Sequence, residues 1–276
     1  YIGFHIPRQV ENFVDVARGV MPLDVVDKVA CAPRFITYGC AVGLDTMTSA
    51  VQAGDRRIAL GAHPVGLDVA RVKRLLARQD VRDQMARLRD SLQGCRVVFS
   101  VERLDYTKGT LEKLLAWEKM LQDNPELHGK VSLITVCVPA ASEMTVYDSL
   151  QTQIEQAVGR INGQFAQVGW TPVQFFFRPL PFEELVAWYA MTDVMWITPL
   201  RDGLNLVAKE FVAVQGLIQG TGVLVLSEFA GAAAELHGAL LTNPHDVRDL
   251  ADTCYLALNL SASEARSRMA GLADIV

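Results

Sequence analysis

The sequence predicts an α/β protein whose larger part is a doubly wound parallel sheet. Three observations carry that prediction. From about residue 94 onward, apolar runs and amphipathic segments alternate without a break, strand then helix. The apolar runs are continuous rather than alternating, as in strands covered on both faces. The chain has 276 residues, half of them hydrophobic, which is enough for two lobes, since a single core stops growing near about 250–300 residues.

The elements follow in order. "CRVVFSVE" is a β-branched run and reads as the first buried strand. "TLEKLLAWEKMLQDNP" carries leucines and Trp117 at helical spacing and stops at Pro125. "KVSLITVCVPA" is the second strand and "EMTVYDSLQTQIEQAVGRING" a long amphipathic helix. "VQFFFRPL", "VMWITPL", "GVLVLSEFAG" and "ALLTNP" supply four more strands. Between them lie the helices "FEELVAWYAMTD" and "NLVAKEFVAVQG" and a short helical piece, "GAAAEL". A closing helix starts at about Asp246.

Before residue 94 the pattern is less regular. "YIGFHI" reads as a strand and "PRQVENFVDVARGVM" as a helix. "RFITYGCAVG" and "RRIALGAHPVG" read as two further strands. "ARVKRLLARQDVRDQMARLRDSLQG" is expected to be one charged linking helix. The boundary is placed near "HPVGLD", giving a first unit over residues 1–66 and a second over residues 67–276.

Composition narrows the function. A net charge of -5 argues against a general nucleic-acid binder, which carries a basic excess. No apolar run approaches the roughly 20 residues that span a bilayer, and no signal peptide is visible. Cys31, Cys40, Cys95, Cys137 and Cys254 are odd in number and scattered, so they read as reduced core residues of a cytoplasmic protein. No spacing suggests a metal site. Tyr1 stands inside the apolar segment "YIGFHIP", and the chain is expected to be part of something longer. The oligomeric state is left open.

Three polar clusters fall where a parallel sheet presents its carboxyl edge, the usual place for a ligand. "SVERLDYTKGT", residues 100–110, offers Arg103 and Lys108 beside a helix N-terminus, which suits an anion. The competing reading is a solvated loop in which Arg103 pairs with Asp105. "LRDGLNLVAKE", residues 200–210, places Asp202, Gly203, Leu204 and Asn205 at the opening of a helix that continues with Leu206 and Val207. Glu210 lies four residues after Leu206 on the same face and suits a ribose diol. The competing reading makes Asp202 a helix cap and Glu210 a surface charge. The third cluster, "GRING", places Arg160 near the end of the long helix, a weak signal on its own. His5 is a lone histidine that could reach a cleft between the two units.

Taken together, "SVERLDYTKG", "GRINGQFAQVGWTP", "TPLRDGLNLVAKEF" and "GVLVLSEFAGAAAEL" resemble the trehalose-6-phosphate synthase family of retaining glycosyltransferases. The resemblance spans roughly residues 94–246. It implies a GT-B fold, two Rossmann-like domains with the active site between them, here a C-terminal domain with the remnant of an N-terminal one. "YIGFHIPRQVENFVDVARGV", "APRFITYGCAVG", "LGAHPVGLD", "VCVPAASEMTVYDSLQTQIEQAVGRING" and "LLTNPHD" look closer to the glucosylglycerol-phosphate synthase branch. "GFHI" stands where trehalose synthases carry a "GFQT"-like stretch.

The resemblance implies roles for residues. Arg103 and Lys108 match the pair that binds the donor diphosphate and stabilises its departure. Asp202, with the amides of Gly203, Leu204 and Asn205, matches the site for glucose hydroxyls. Leu206 and Val207 match residues approaching the nucleotide, Glu210 the ribose ligand, and Arg160 an arginine at the acceptor phosphate. The implied reaction moves glucose from ADP-glucose to glycerol 3-phosphate with retention of configuration. It needs no metal and no cofactor, the nucleotide sugar being a substrate. The alternatives are trehalose-6-phosphate synthesis from UDP-glucose and glucose 6-phosphate, and a catalytically silent nucleotide-binding relative.

Overall fold

The computed structural model describes residues 1–35, 43–92, 94–139 and 145–276. The described residues build two sheets. The first has four strands: β1 (Ile2–Phe4), β2 (Asp24–Ala30), β3 (Thr46–Ala53) and β4 (Arg56–Ala62), in the order β1-β4-β3-β2. β1 runs parallel to β4, while β3 is antiparallel to both β4 and β2. Helix α1 (Pro7–Val20) begins with proline, whose missing N–H costs nothing there. Its Val10, Val14 and Ala17 recur at helical spacing and pack on Val51 and Leu60 of the sheet.

This first unit departs from the sequence expectation. β2 and β3 were not expected. The strand expected at "RFITYGCAVG" falls mostly on residues 36–42, outside the described residues. β3 and β4 form a hairpin around Gly54-Asp55, with Gly54 at φ 57.

The expected single linking helix is two, α2 (Val69–Ala77) and α3 (Gln79–Leu92). Asp68 caps α2 by accepting from the Arg71 amide at 2.8 Å, and Arg78 takes an extended conformation between the helices.

The second sheet has six parallel strands in the order β10-β9-β8-β5-β6-β7. They are β5 (Arg96–Arg103), β6 (Val131–Val138), β7 (Val173–Phe176), β8 (Val194–Ile197), β9 (Val223–Ser227) and β10 (Leu240–Thr242). The helices between them are α4 (Thr110–Asp123), α5 (Thr145–Phe165), α6 (Phe182–Met191) and α7 (Leu206–Ile218). All six strands and these four helices stand where the sequence places them. "GAAAEL" forms a short 3₁₀ turn, and the closing helix is a pair, α8 (Val247–Asn259) and α9 (Ala262–Ala273).

Two apolar layers flank this sheet. One gathers Val97, Phe99, Ile134 and Met195 under α3, α6 and α7. The other gathers Val98, Leu133, Trp196 and Val225 under α4, α5 and α8. Such two-sided burial is why the strands are uninterrupted apolar runs. From β5 the chain builds outward through β6 and β7, then crosses back to add β8, β9 and β10 on the other side. The order reverses between β5 and β8. In open α/β sheets a crevice forms at that reversal, beyond the strands' carboxyl ends.

Candidate functional site

A cavity of about 480 Å³ opens at this reversal. Val101, Glu102 and Arg103 at the end of β5, Val138 at the end of β6, and Ile197 and Pro199 at the end of β8 supply its floor and walls. Lys108 and the run Asp202, Leu204, Asn205, Leu206 and Val207 also line it.

The loop after β5 has a built conformation. Asp105 accepts from the Thr107 amide and hydroxyl, both at 2.8 Å. Burial pushes the Asp105 carboxyl up, but the two Thr107 bonds and the nearby charges of Lys108 and Arg103 together outweigh it and hold it below its ordinary value. The Arg103–Asp105 pairing of the competing reading does not form as a hydrogen bond. Arg103 is exposed and makes no hydrogen bond or ion pair among the described residues. Gly109 closes the loop at φ 69, where a Cβ would meet the Thr198 carbonyl oxygen at 2.6 Å. Only glycine fits this left-handed, close approach.

The loop after β8 docks on the first. The amides of Leu200 and Arg201 donate to the Thr107 carbonyl, at 2.8 and 3.3 Å. Lys108 Nζ donates to Asp202 Oδ2 at 2.8 Å in a largely buried ion pair. The Asp202 carboxylate also takes Asn205 Nδ2 at 3.1 Å and the Leu204 amide at 3.3 Å. Asn205, and not Asp202, is the cap of α7: its Oδ1 accepts from the Ala208 amide at 3.1 Å. It holds φ 75, a left-handed conformation that asparagine tolerates better than most residues. Gly203 is exposed, and its carbonyl accepts from Gln9 Nε2 of α1 at 2.8 Å. Gly231 packs against the other side, where a Cβ would meet the Gly203 carbonyl oxygen at 2.2 Å.

The N-terminus of α7 therefore faces the cavity, whose described lining carries two cations, Arg103 and Lys108, and two carboxylates, Glu102 and Asp202. Helix N-terminal amides and cations together attract anions. Carboxylates and exposed amides in the same crevice recognise hydroxyls.

Glu210 stands one turn further along α7, outside the cavity lining. It is no surface charge. Its Oε2 accepts from the buried Tyr189 hydroxyl at 3.0 Å. Burial pushes the Glu210 carboxyl above its ordinary value, against the opposing Tyr189 bond, and pushes the Tyr189 phenol well up.

The structure does not bring Arg160 to this group. Its guanidinium holds both oxygens of Glu118 on α4, at 3.0 and 2.8 Å, in the outer helix layer. His5 also lies outside the lining.

Sequence reasoning missed Glu102 and Lys113. Glu102 lines the cavity, and Lys113 Nζ reaches its Oε2 at 2.8 Å. The signal for Lys113 was available. It falls on the buried stripe of α4 with Thr110, Leu114, Trp117 and Leu121, where a lysine needs a partner. Cys31, Cys137 and Cys254 are buried free thiols and Cys95 is partly exposed, while Cys40 lies outside the described residues. Among the described residues no acid, histidine or cysteine cluster could hold a metal, and no helix is long and apolar enough to cross a membrane.

The profile of glycosyltransferase family 20 matches residues 1–276. A glucosylglycerol-phosphate synthase of Pseudomonas anguilliseptica is 71% identical over the whole of this chain, which covers 37% of that protein. One from Synechocystis is 44% identical over 97% of this chain and 53% of its own length. A structure described as trehalose-6-phosphate from E. coli bound with UDP-2-fluoro glucose superposes with a TM-score of 0.85 at 32% identity. That match covers 99% of this chain and 56% of the other. A UDP-forming trehalose-phosphate synthase of Burkholderia xenovorans gives a TM-score of 0.80 at 35% identity, over 98% of this chain and 56% of that one. The chain thus spans about half the length, or less, of the relatives it matches, and its architecture is of the GT-B type.

Proposed function

Since the chain belongs to glycosyltransferase family 20, we propose that it carries the donor site of a retaining hexosyltransferase. The enzyme moves glucose from ADP-glucose to glycerol 3-phosphate and forms glucosylglycerol phosphate. The observation that carries the reading is the cavity at the β5/β8 reversal, where Arg103, Lys108, Asp202 and the α7 N-terminus converge. Arg103 and Lys108 bind the diphosphate. Asp202 and the Gly203–Asn205 backbone take glucose hydroxyls, Leu206 and Val207 pack on the nucleoside, and Glu210 serves the ribose. The identity to the Pseudomonas anguilliseptica synthase supports the choice of acceptor. Such a solute precursor fits osmotic protection, and the chemistry fits the cytoplasm.

The chemistry asks for charge stabilisation more than for a nucleophile. When the sugar–phosphate bond breaks, negative charge gathers on the leaving diphosphate. Cations and helix amides fixed beforehand meet that charge without reorganising, and one such donor is typically worth about 2.7–4 kcal/mol. The acceptor hydroxyl enters on the face the diphosphate leaves, and the leaving phosphate takes its proton. That path retains configuration without a protein carboxylate bonding to the sugar.

The test joins this chain to the remaining parts of its Pseudomonas anguilliseptica relative and assays two donors against two acceptors. ADP release from ADP-glucose with glycerol 3-phosphate is expected, with little turnover on glucose 6-phosphate. Faster UDP release from UDP-glucose with glucose 6-phosphate would transfer the assignment to trehalose-6-phosphate synthesis. Nucleotide binding without transfer in any pairing would favour the silent relative.

A further inference from the structure

The loop carrying Arg103 and Lys108 is clamped at its neck by side chains that have no role in the reading above. Glu102 immediately precedes Arg103, and Thr110 immediately follows Gly109. Thr110 Oγ1 donates to Glu102 Oε1 at 2.6 Å, which closes the loop's base. The other oxygen, Oε2, takes Lys113 Nζ at 2.8 Å, and the same ammonium donates to Ser100 Oγ at 2.5 Å. Lys113 is only 1% exposed and Glu102 only 8%.

A stability role alone accounts poorly for this arrangement. Taking two charges out of water costs about as much as their attraction returns, and apolar side chains of similar size often do as well. The placement adds a second consideration. Glu102 lines a cavity whose two cations, Arg103 and Lys108, are suited to an anion, and whose other carboxylate, Asp202, is already paired with Lys108. An unpaired carboxylate there would repel a diphosphate, and in a low-dielectric crevice that repulsion is weakly screened. Lys113 lies on the side of Glu102 away from solvent, so it cancels the charge without itself occupying the ligand space.

We propose that Glu102, Thr110 and Lys113 are positioning residues for the diphosphate. The Glu102–Thr110 bond sets the loop's neck, and Lys113 neutralises the carboxylate that makes this bond. The inference rests on the donor-site reading and adds to it the groups that hold Arg103 and Lys108 in register.

The experiment is calorimetry of this chain with ADP and with adenosine, accompanied by thermal melts. In Lys113→Met the Glu102 carboxylate is left unpaired. ADP affinity should fall at least tenfold while adenosine affinity stays within twofold. The double variant Lys113→Met with Glu102→Gln keeps the Thr110 bond and removes the charge, and should recover most of the ADP loss. Thr110→Val, which opens the neck without creating a charge, should weaken ADP severalfold and also spare adenosine, and it decides the matter if Lys113→Met does not fold. Equal losses for ADP and adenosine, or lowered melting temperature with unchanged ADP affinity, would reduce the clamp to a structural role. A wild-type chain that binds neither ADP nor UDP overturns the donor-site reading itself. A wild-type chain that binds, with variants that match it, overturns only the clamp.

Discussion

Arg103 and Glu210 make opposite demands on the folded chain. Arg103 is exposed and without a hydrogen bond or ion pair among the described residues, so the fold does not lean on it. Arg103→Ala should leave stability within about 0.5 kcal/mol in denaturant melts. A lost charge-assisted bond to a diphosphate is worth about 1.5–3 kcal/mol, so ADP affinity should fall roughly ten- to a hundredfold. Equal affinities would remove the residue from the site. Glu210 costs the fold something. Burial raises its pKa above the ordinary 4.5, so the folded chain holds this proton to higher pH than the unfolded one does. The resulting stability cost is absent below the ordinary value. It grows as pH rises toward the raised value and is complete above it. Glu210→Gln keeps an acceptor for Tyr189 and cannot ionise, so its stability should decline less between pH 4.5 and 7 than the wild type's. Asp193 is also raised, mainly by burial, and has the same sign. It is present in both proteins, so the difference between their pH curves isolates Glu210. Parallel curves would show that Glu210 carries no such cost.

At the scale of elements, the site is two strand-end loops locked to each other, and the lock sits at Gly109. Its positive φ and the 2.6 Å approach to the Thr198 carbonyl leave no room for a Cβ. Gly109→Ala should therefore cost about 1–3 kcal/mol and, by displacing Lys108, weaken ADP binding as well. A variant with unchanged melts and unchanged ADP affinity would show that the two loops move independently. These loops were legible in the sequence because cations after an apolar strand have few places to go except the sheet's edge. The six strands of the second sheet were legible for a related reason, since burial on both faces leaves continuous apolar runs. β2 escaped notice because nearly all its side chains are exposed and it is held by backbone pairing to β3. The pairing leaves no period in "DVVDKVA" to read. The break at Arg78 has no glycine or proline to announce it. Glu102 and Lys113 were hidden for another reason. Their meaning lies in each other, 11 positions apart, and a charge within an apolar run shows its partner only once strand and helix have packed.

For the whole molecule, unequal cores predict unequal dynamics. The first unit rests on a small cluster, Val10, Val14, Ala17, Leu23, Val51 and Leu60, with β2 exposed along its edge. The second has an apolar layer on each face of a six-stranded sheet. Segments with few buried apolar contacts open at lower free energy, so amide exchange should be faster in β2 and β3 than in β5, β6 and β8. The units are nonetheless tied beside the cavity. Gln9 of α1 donates to the Gly203 carbonyl at 2.8 Å, and Lys209 of α7 reaches the Val65 carbonyl at 3.4 Å. Every described residue lining the cavity lies between Val101 and Val207, all within the second unit. A nucleotide bound there stabilises the states that contain the cavity, by RT ln(1 + [L]/Kd), and so slows opening of the elements that build it. Saturating ADP should then slow exchange across residues 101–108 and 200–215, about 2.7 kcal/mol in protection at a hundredfold excess over Kd if those amides exchange only by openings that release the ligand. It should slow α1 less, through Gln9 alone, and leave β2 at its ligand-free rate. Uniform slowing that reached β2 as strongly as β5 would mean that the two units open together, and would make the first sheet part of the nucleotide-binding body.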